Sequence, residues 1–236
     1  MSKEKMVMQV RAYPIAKNEN GLLANATVNI GTKDGNLIAI NHVKLREVKK
    51  DDQTYTFVDL PKRQLKDREG NALKDENGHN QYAEYVSFNV DEERHVGQAE
   101  KIRNLVTNEV RKAFNNCKEG MQYGESERET DFEIDPDKVS AYVKSENSPA
   151  SVYIGDIMRI DNIFVNEKDN SKYLSMPHEK YEKDGEVKYR NYVSPVKEGL
   201  NNKILDAIEQ ARTRVQDKAQ GEETKSEEQE KNELEM

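Results

Sequence analysis

The densest run of side chains able to do chemistry follows Pro61, where Lys62, Arg63, Lys66 and Arg68 stand close together. Lys44, Arg46, Lys49 and Lys50 precede it on a stretch that alternates apolar and polar residues. Cations packed this closely suit phosphate oxygens, because clustered positive charge raises the local concentration of a polyanion. Tyr55 and Tyr82 lie near enough in sequence to add stacking surfaces for bases. Asp51, Asp52, Asp67 and Glu69 interleave with the cations, so a solvated charged loop is the competing reading. A Tyr-x-x-Tyr-Val-Ser segment occurs twice, at Tyr82 and at Tyr189, and the second copy places Arg190 between Tyr189 and Tyr192 as a phosphate ligand. Sheet packing is the plainer use of such strand tyrosines.

Other chemistries find less support. His42, His79, His95 and His178 lack the close spacing of a metal or acid–base site, and Cys117, the single cysteine, cannot complete a zinc tetrad. Asp75-Glu-Asn-Gly78 has the start of a calcium loop without its remaining ligand positions. No phosphate-cradling glycine motif and no nucleophile elbow occur. The expectation is therefore no enzyme, no metal and no cofactor.

Composition narrows the class. Of 236 residues, 34% are hydrophobic and 35% charged, with no Trp, so small cores and some disordered length are expected. No apolar run approaches the roughly 20 residues of a membrane helix, and the start has no secretory pattern. One cysteine suits a reducing cytoplasm. The net charge of −8 is unevenly spread: residues 1–115 carry 19 basic and 17 acidic side chains, whereas 116–135 and 216–236 each carry a net −5. An acidic total thus leaves room for a basic face in the first half.

The elements that must position these residues are written twice. Val10-Arg-Ala-Tyr13 recurs as Val139-Ser-Ala-Tyr142, and Ala26-Thr-Val-Asn-Ile-Gly31 as Ala150-Ser-Val-Tyr-Ile-Gly155. Ile40, Val43 and Leu45 match Ile160, Ile163 and Val165; Pro61 matches Pro177, and Tyr82 matches Tyr189. The offsets fall steadily from 129 to 107, as loop shortening in the second copy with the strand order kept requires. Alternation such as Val28 and Ile30 against Thr27 and Asn29 reads as strand. Asn20-Gly21, Asp34-Gly35, Asn77-Gly78 and Asp184-Gly185 read as turns, and connections this short imply antiparallel pairing. Each copy ends in a helical stripe: Ala99, Ile102, Val106, Val110, Ala113, and then Leu200, Ile204, Ile208, Ala211, Val215. Such a stripe must be buried, and the adjacent sheet is the available partner.

The second copy resembles the SpoVG family of small bacterial proteins, named for sporulation stage V and septum regulation. The residues that carry the resemblance are Met176-Pro177, Asp184-Gly185, Tyr189-Arg190-Asn191 and Pro195 before a helix. The resemblance covers about 80 residues of the second copy and, more loosely, about 105 of the first. It implies a site-directed binder of DNA, RNA or both, a regulator without catalytic activity, and a contact surface just after the Met-Pro turn. That place is Lys62 and Arg63 in the first copy and Lys180 in the second, with Glu179 beside it where the family is basic.

The fold expected is α+β: two similar modules, each a small antiparallel sheet with one C-terminal helix, paired edge to edge as a pseudo-dimer within the chain. The boundaries expected are module 1 at 1–115, an acidic linker at 116–135, module 2 at 136–215 and an acidic tail at 216–236, disordered or partly helical. The nucleic-acid contact is expected from Lys44, Arg46, Lys62, Arg63, Lys66, Arg68, Lys180 and Arg190, and the rival reading is an adaptor that binds protein partners alone.

Overall fold

A computed structural model of the chain describes residues 3–16, 20–88 and 98–234; His95 lies outside them. The fold is α+β, and every strand pair described is antiparallel. Three long strands, β1 (Glu4–Pro14), β2 (Leu22–Thr32) and β3 (Gly35–Lys50), form a meander, and β4 (Gln53–Asp59) folds back on the far end of β3. A short hairpin, β5 (Lys62–Gln64) with β6 (Tyr82–Glu84), leads to β7 (Val86–Ser87) and helix α1 (Gln98–Asn116). Strand β8 (Gly124–Ile134) follows. Next come β9 (Val139–Tyr142), β10 (Ala150–Ile154), β11 (Met158–Lys168), β12 (Ser171–Ser175), the hairpin β13 (His178–Lys183) with β14 (Glu186–Asn191), β15 (Val193–Pro195) and helix α2 (Leu200–Leu234).

One sheet has the order β15-β3-β2-β1-β8 with β4 also on β3; the other has β12-β11-β10-β9 with β7 also on β11. Both sheets therefore contain a strand from the opposite half of the chain. Val193 of β15 lies opposite Ile40 of β3, and Val86 of β7 lies opposite Ile160 of β11. A bulge interrupts each third strand. Thr27 faces both Asn41 and His42, and Ser151 faces both Asp161 and Asn162. An extra residue on one strand bends it, which lets one end of β3 or β11 carry the foreign strand and the other end carry the next strand in sequence. The bulge residues His42 and Asn162 take the left-handed backbone, at φ 57° and 67°.

The helices bury the faces expected of them. Ile102, Val106, Val110 and Ala113 of α1 are buried, with Leu105 added to the stripe, and α1 lies on β1 and β8. Leu200, Ile204, Ile208 and Ala211 of α2 are buried over β9 and β10. Each large aliphatic side chain so buried contributes about 1.5–3 kcal/mol.

One boundary changes. Residues 124–134, expected within a linker, are β8, an edge strand paired with β1 from Glu4 to Ala12. Over most of its length its inward residues are small or polar, Ser126 and Thr130 among them, and only Phe132 and Ile134 at its end are apolar, so apolar alternation is too short to mark the strand. Each is satisfied inside: Ser126 donates to the buried Glu109 carboxylate of α1, and Thr130 Oγ1 donates to the Met6 carbonyl at 3.0 Å. The signal that was present is acidic: Glu125, Glu127, Glu129, Asp131 and Glu133 occupy alternate positions. Gly124 opens the strand because a Cβ there would stand 2.0 Å from the Ala113 carbonyl oxygen of α1. In the tail, expected to be disordered or partly helical, the backbone from 216 continues α2 to Leu234; Glu, Gln, Lys and Ala are strong helix formers.

Candidate nucleic-acid interface

Lys44 and Arg46 stand on β3 where it leaves the body of the sheet as an arm with β4. The arm turns at Asp51-Asp52, both in the left-handed region at φ 50° and 60°, the signature of a two-residue hairpin loop. Register sets Lys44 opposite Asp59, Arg46 opposite Phe57, Val48 opposite Tyr55 and Lys50 opposite Gln53. These eight side chains share one face, since alternate strand residues point the same way.

Asp59 organises the root of the arm. Its Oδ2 takes Arg46 Nε at 2.8 Å and its Oδ1 takes Lys62 Nζ at 3.1 Å. Arg46 also donates to the Asn20 carbonyl at 3.1 Å, so its guanidinium is a structural tie rather than a free phosphate ligand. Lys62 Nζ lies 5.4 Å from the centroid of the Tyr82 ring. Lys44 and Arg63 are exposed, and among the described residues neither has a carboxylate within ion-pair distance. Lys44, Arg46 and Lys62 around the carboxylate of Asp59 leave a local surplus of positive charge, while alternation places Arg63 on the other face of β5. Glu84, opposite Lys62 in the hairpin, is taken up by Arg103 of α1 in a two-pronged contact at 2.8 and 2.5 Å.

Lys66 and Arg68 lie apart from this cluster, on a loop of two related turns. Asp67 Oδ1 accepts the N–H groups of Glu69 and Asn71 at 2.9 and 2.8 Å, and Asp75 Oδ1 accepts those of Asn77 and His79 at the same two distances. The N–H of Asn71, ahead of the other donors, holds the Asp67 carboxyl below its ordinary range. Ionised Asp67 and neighbouring Glu69 therefore offset Lys66 and Arg68. The run Leu-Lys-Asp at 65–67 repeats at 73–75, a short period that hydropathy patterns overlook; the Asp75 turn is what the calcium-like sequence builds.

In the second half Arg190 is engaged. Its Nε meets Glu179 Oε1 at 2.7 Å, and its guanidinium sits 4.2 Å from the Tyr181 ring centroid. Lys180 is exposed on β13, opposite Tyr189. The eight expected ligands thus divide: Lys44 and Lys62 meet near Asp59 with Arg46 as their tie, Arg63 lies on the other face of β5, Lys66 and Arg68 sit on the loop, and Lys180 and Arg190 belong to the other hairpin. Phe57, absent from the sequence reading, joins Tyr55 on the arm at 38% and 50% exposure.

Between the halves, Tyr85 and Tyr192 stack at 5.3 Å with an interplanar angle of 23°, and His42 meets the Tyr192 edge at 5.8 Å. Burial lowers the pKa of His42. Burial, reinforced by Glu179 at 3.2 Å from the Tyr192 hydroxyl, pushes the Tyr192 phenol up to about 12. The fold therefore favours the protonated phenol: that stability is complete below pH about 10 and is lost as pH rises toward about 12. Tyr192→Phe should flatten the fall in stability across this window in urea titrations. An unchanged fall would place the alkaline loss at another group.

Among the described residues no helix is long and apolar enough to cross a membrane. Compared with family models, curated proteins and solved structures, the chain matches none.

Proposed function

We propose that this chain is a non-enzymatic nucleic-acid-binding regulator of the kind the SpoVG resemblance implies. We also propose that it is built as two fused copies of one sheet-and-helix module paired as a pseudo-dimer. Equivalent contacts support the pairing. Asn41 N donates to the Tyr192 carbonyl at 2.8 Å and Asp161 N to the Tyr85 carbonyl at 2.9 Å. Tyr85 N donates to the Pro61 carbonyl at 2.9 Å and Tyr192 N to the Pro177 carbonyl at 2.8 Å. Every one of these residues is matched, copy to copy, by the sequence repeat. The pairing is an exchange of the terminal strands β7 and β15 rather than a meeting of outer edges. Each module completes the other's sheet, and the Tyr85–Tyr192 stack marks the place where they cross.

The observation that carries the binding reading is the cluster of Lys44, Arg46 and Lys62 around the Asp59 carboxylate, with exposed Arg63 next along β5 and exposed aromatics on the arm. DNA, RNA or both are the partners, and the setting is the cytoplasm, which the lone Cys117 suits. The test is titration of the full chain with mixed-sequence DNA and RNA at two salt concentrations. Binding that weakens steeply with salt is expected, because each phosphate contact releases counterions. The rival adaptor reading draws on the acidic row of β8, and it is what remains if neither polymer binds.

A further inference from the structure

We infer that the β3–β4 arm takes single-stranded nucleic acid, with unstacked bases lying on Tyr55 and Phe57. This rests on the nucleic-acid reading above and names the form of its ligand.

Spacing carries the inference. Tyr55 and Phe57 are two residues apart on β4, so they share a face and stand roughly 7 Å apart along the strand. In duplex DNA the bases of one strand rise about 3.4 Å each and turn inward. Neighbouring bases can reach both rings only if the strand is stretched to about twice that rise and its bases are turned out. A single strand does this readily, and aromatic rings then stack on bases of any sequence.

The surroundings fit such a ligand. Tyr55, Phe57 and Val48 are 50%, 38% and 48% exposed on one face, an open apolar strip in a chain of high charge. Lys50 stands near the tip of the strip, and Lys44 and Lys62 at its root. Asp59 is occupied by Arg46 and Lys62, and Asp51 and Asp52 form the turn at the tip. Lys62 also reaches the ring of Tyr82, 51% exposed, so the row of aromatics continues past the root of the arm. A strip of rings bordered by lysines complements bases bordered by phosphates. The reverse face differs: it presents Glu47, Lys49, Thr54 and Thr56, and Arg111 of α1 reaches Thr56 at 3.4 Å.

The test uses the full chain, a labelled thymidine 12-mer, its RNA counterpart and a mixed-sequence duplex of the same length. The single strands are expected to bind at least about tenfold more tightly than the duplex. Tyr55→Ala with Phe57→Ala should weaken single-strand binding by about tenfold or more while leaving the salt slope unchanged, because rings and not cations are removed. Tyr55→Leu with Phe57→Leu, which keeps apolar bulk without an aromatic face, should lose nearly as much. Equal affinity for duplex, or wild-type binding by the leucine variant, would overturn the single-strand inference and leave the nucleic-acid reading standing. Binding to neither form would end that reading itself.

Discussion

The Val193→Asp variant is expected to dismantle the six-stranded sheet, although Val193 lies in the second half of the chain. Val193 is 0% exposed and sits opposite Ile40. Val193 belongs to the apolar core, and a carboxylate buried there costs about 4 kcal/mol or more. That is a large part of the roughly 5–15 kcal/mol that holds a domain folded. Because β7 plays the corresponding part in the other sheet, with Val86 also 0% exposed, the two halves should unfold together in one urea transition. Hydrogen exchange gives the sharper reading: amides of Ile38 to Asn41 should lose protection along with those of α2. Val187→Asp, on a residue 51% exposed in the neighbouring hairpin, should change stability by no more than about 0.5 kcal/mol. If Val193→Asp loosens α2 while β3 stays protected, the reciprocal pairing of the halves is wrong.

The second large effect is on binding. Lys62→Glu with Arg63→Glu is expected to weaken nucleic-acid binding by about a hundredfold or more at low salt, and to reduce the salt slope by about two. The change removes two cations and sets a new carboxylate beside Asp59, cancelling the positive surplus at the root of the arm. Folding should change little, since both side chains are exposed and Arg46 keeps its contact with Asp59. The corresponding swap in the second half, Lys180→Glu with Arg190→Glu, should weaken binding far less, because Arg190 is already neutralised by Glu179 at 2.7 Å. Equal losses from the two swaps would mean that the contact is shared by both halves rather than centred on the first.

Much of the fold was legible because its signals are local. Asp184-Gly185 turns a hairpin wherever it stands, since both residues tolerate the left-handed backbone, here at φ 57° and 76°. Val28 and Ile30 alternate with Thr27 and Asn29 whether or not the partner strand is known. The helical stripe of α2 followed in the same way from spacing alone. β8 was missed because most of its inner face is filled by Ser126 and Thr130, whose burial depends on hydrogen bonds that they donate to α1 and β1 and that no hydropathy pattern records.

The candidate site divides along the same line. Residue types and order were enough to single out a basic run with tyrosines nearby. Which cations are free was decided only by the tertiary structure: Asp59 binds Arg46 and Lys62, Glu179 binds Arg190, and each pair joins residues brought close by strand register. Tertiary structure alone also chose the partners of β7 and β15. A short strand states in its sequence that it needs a neighbour, but which neighbour it obtains depends on long-range packing of the whole chain.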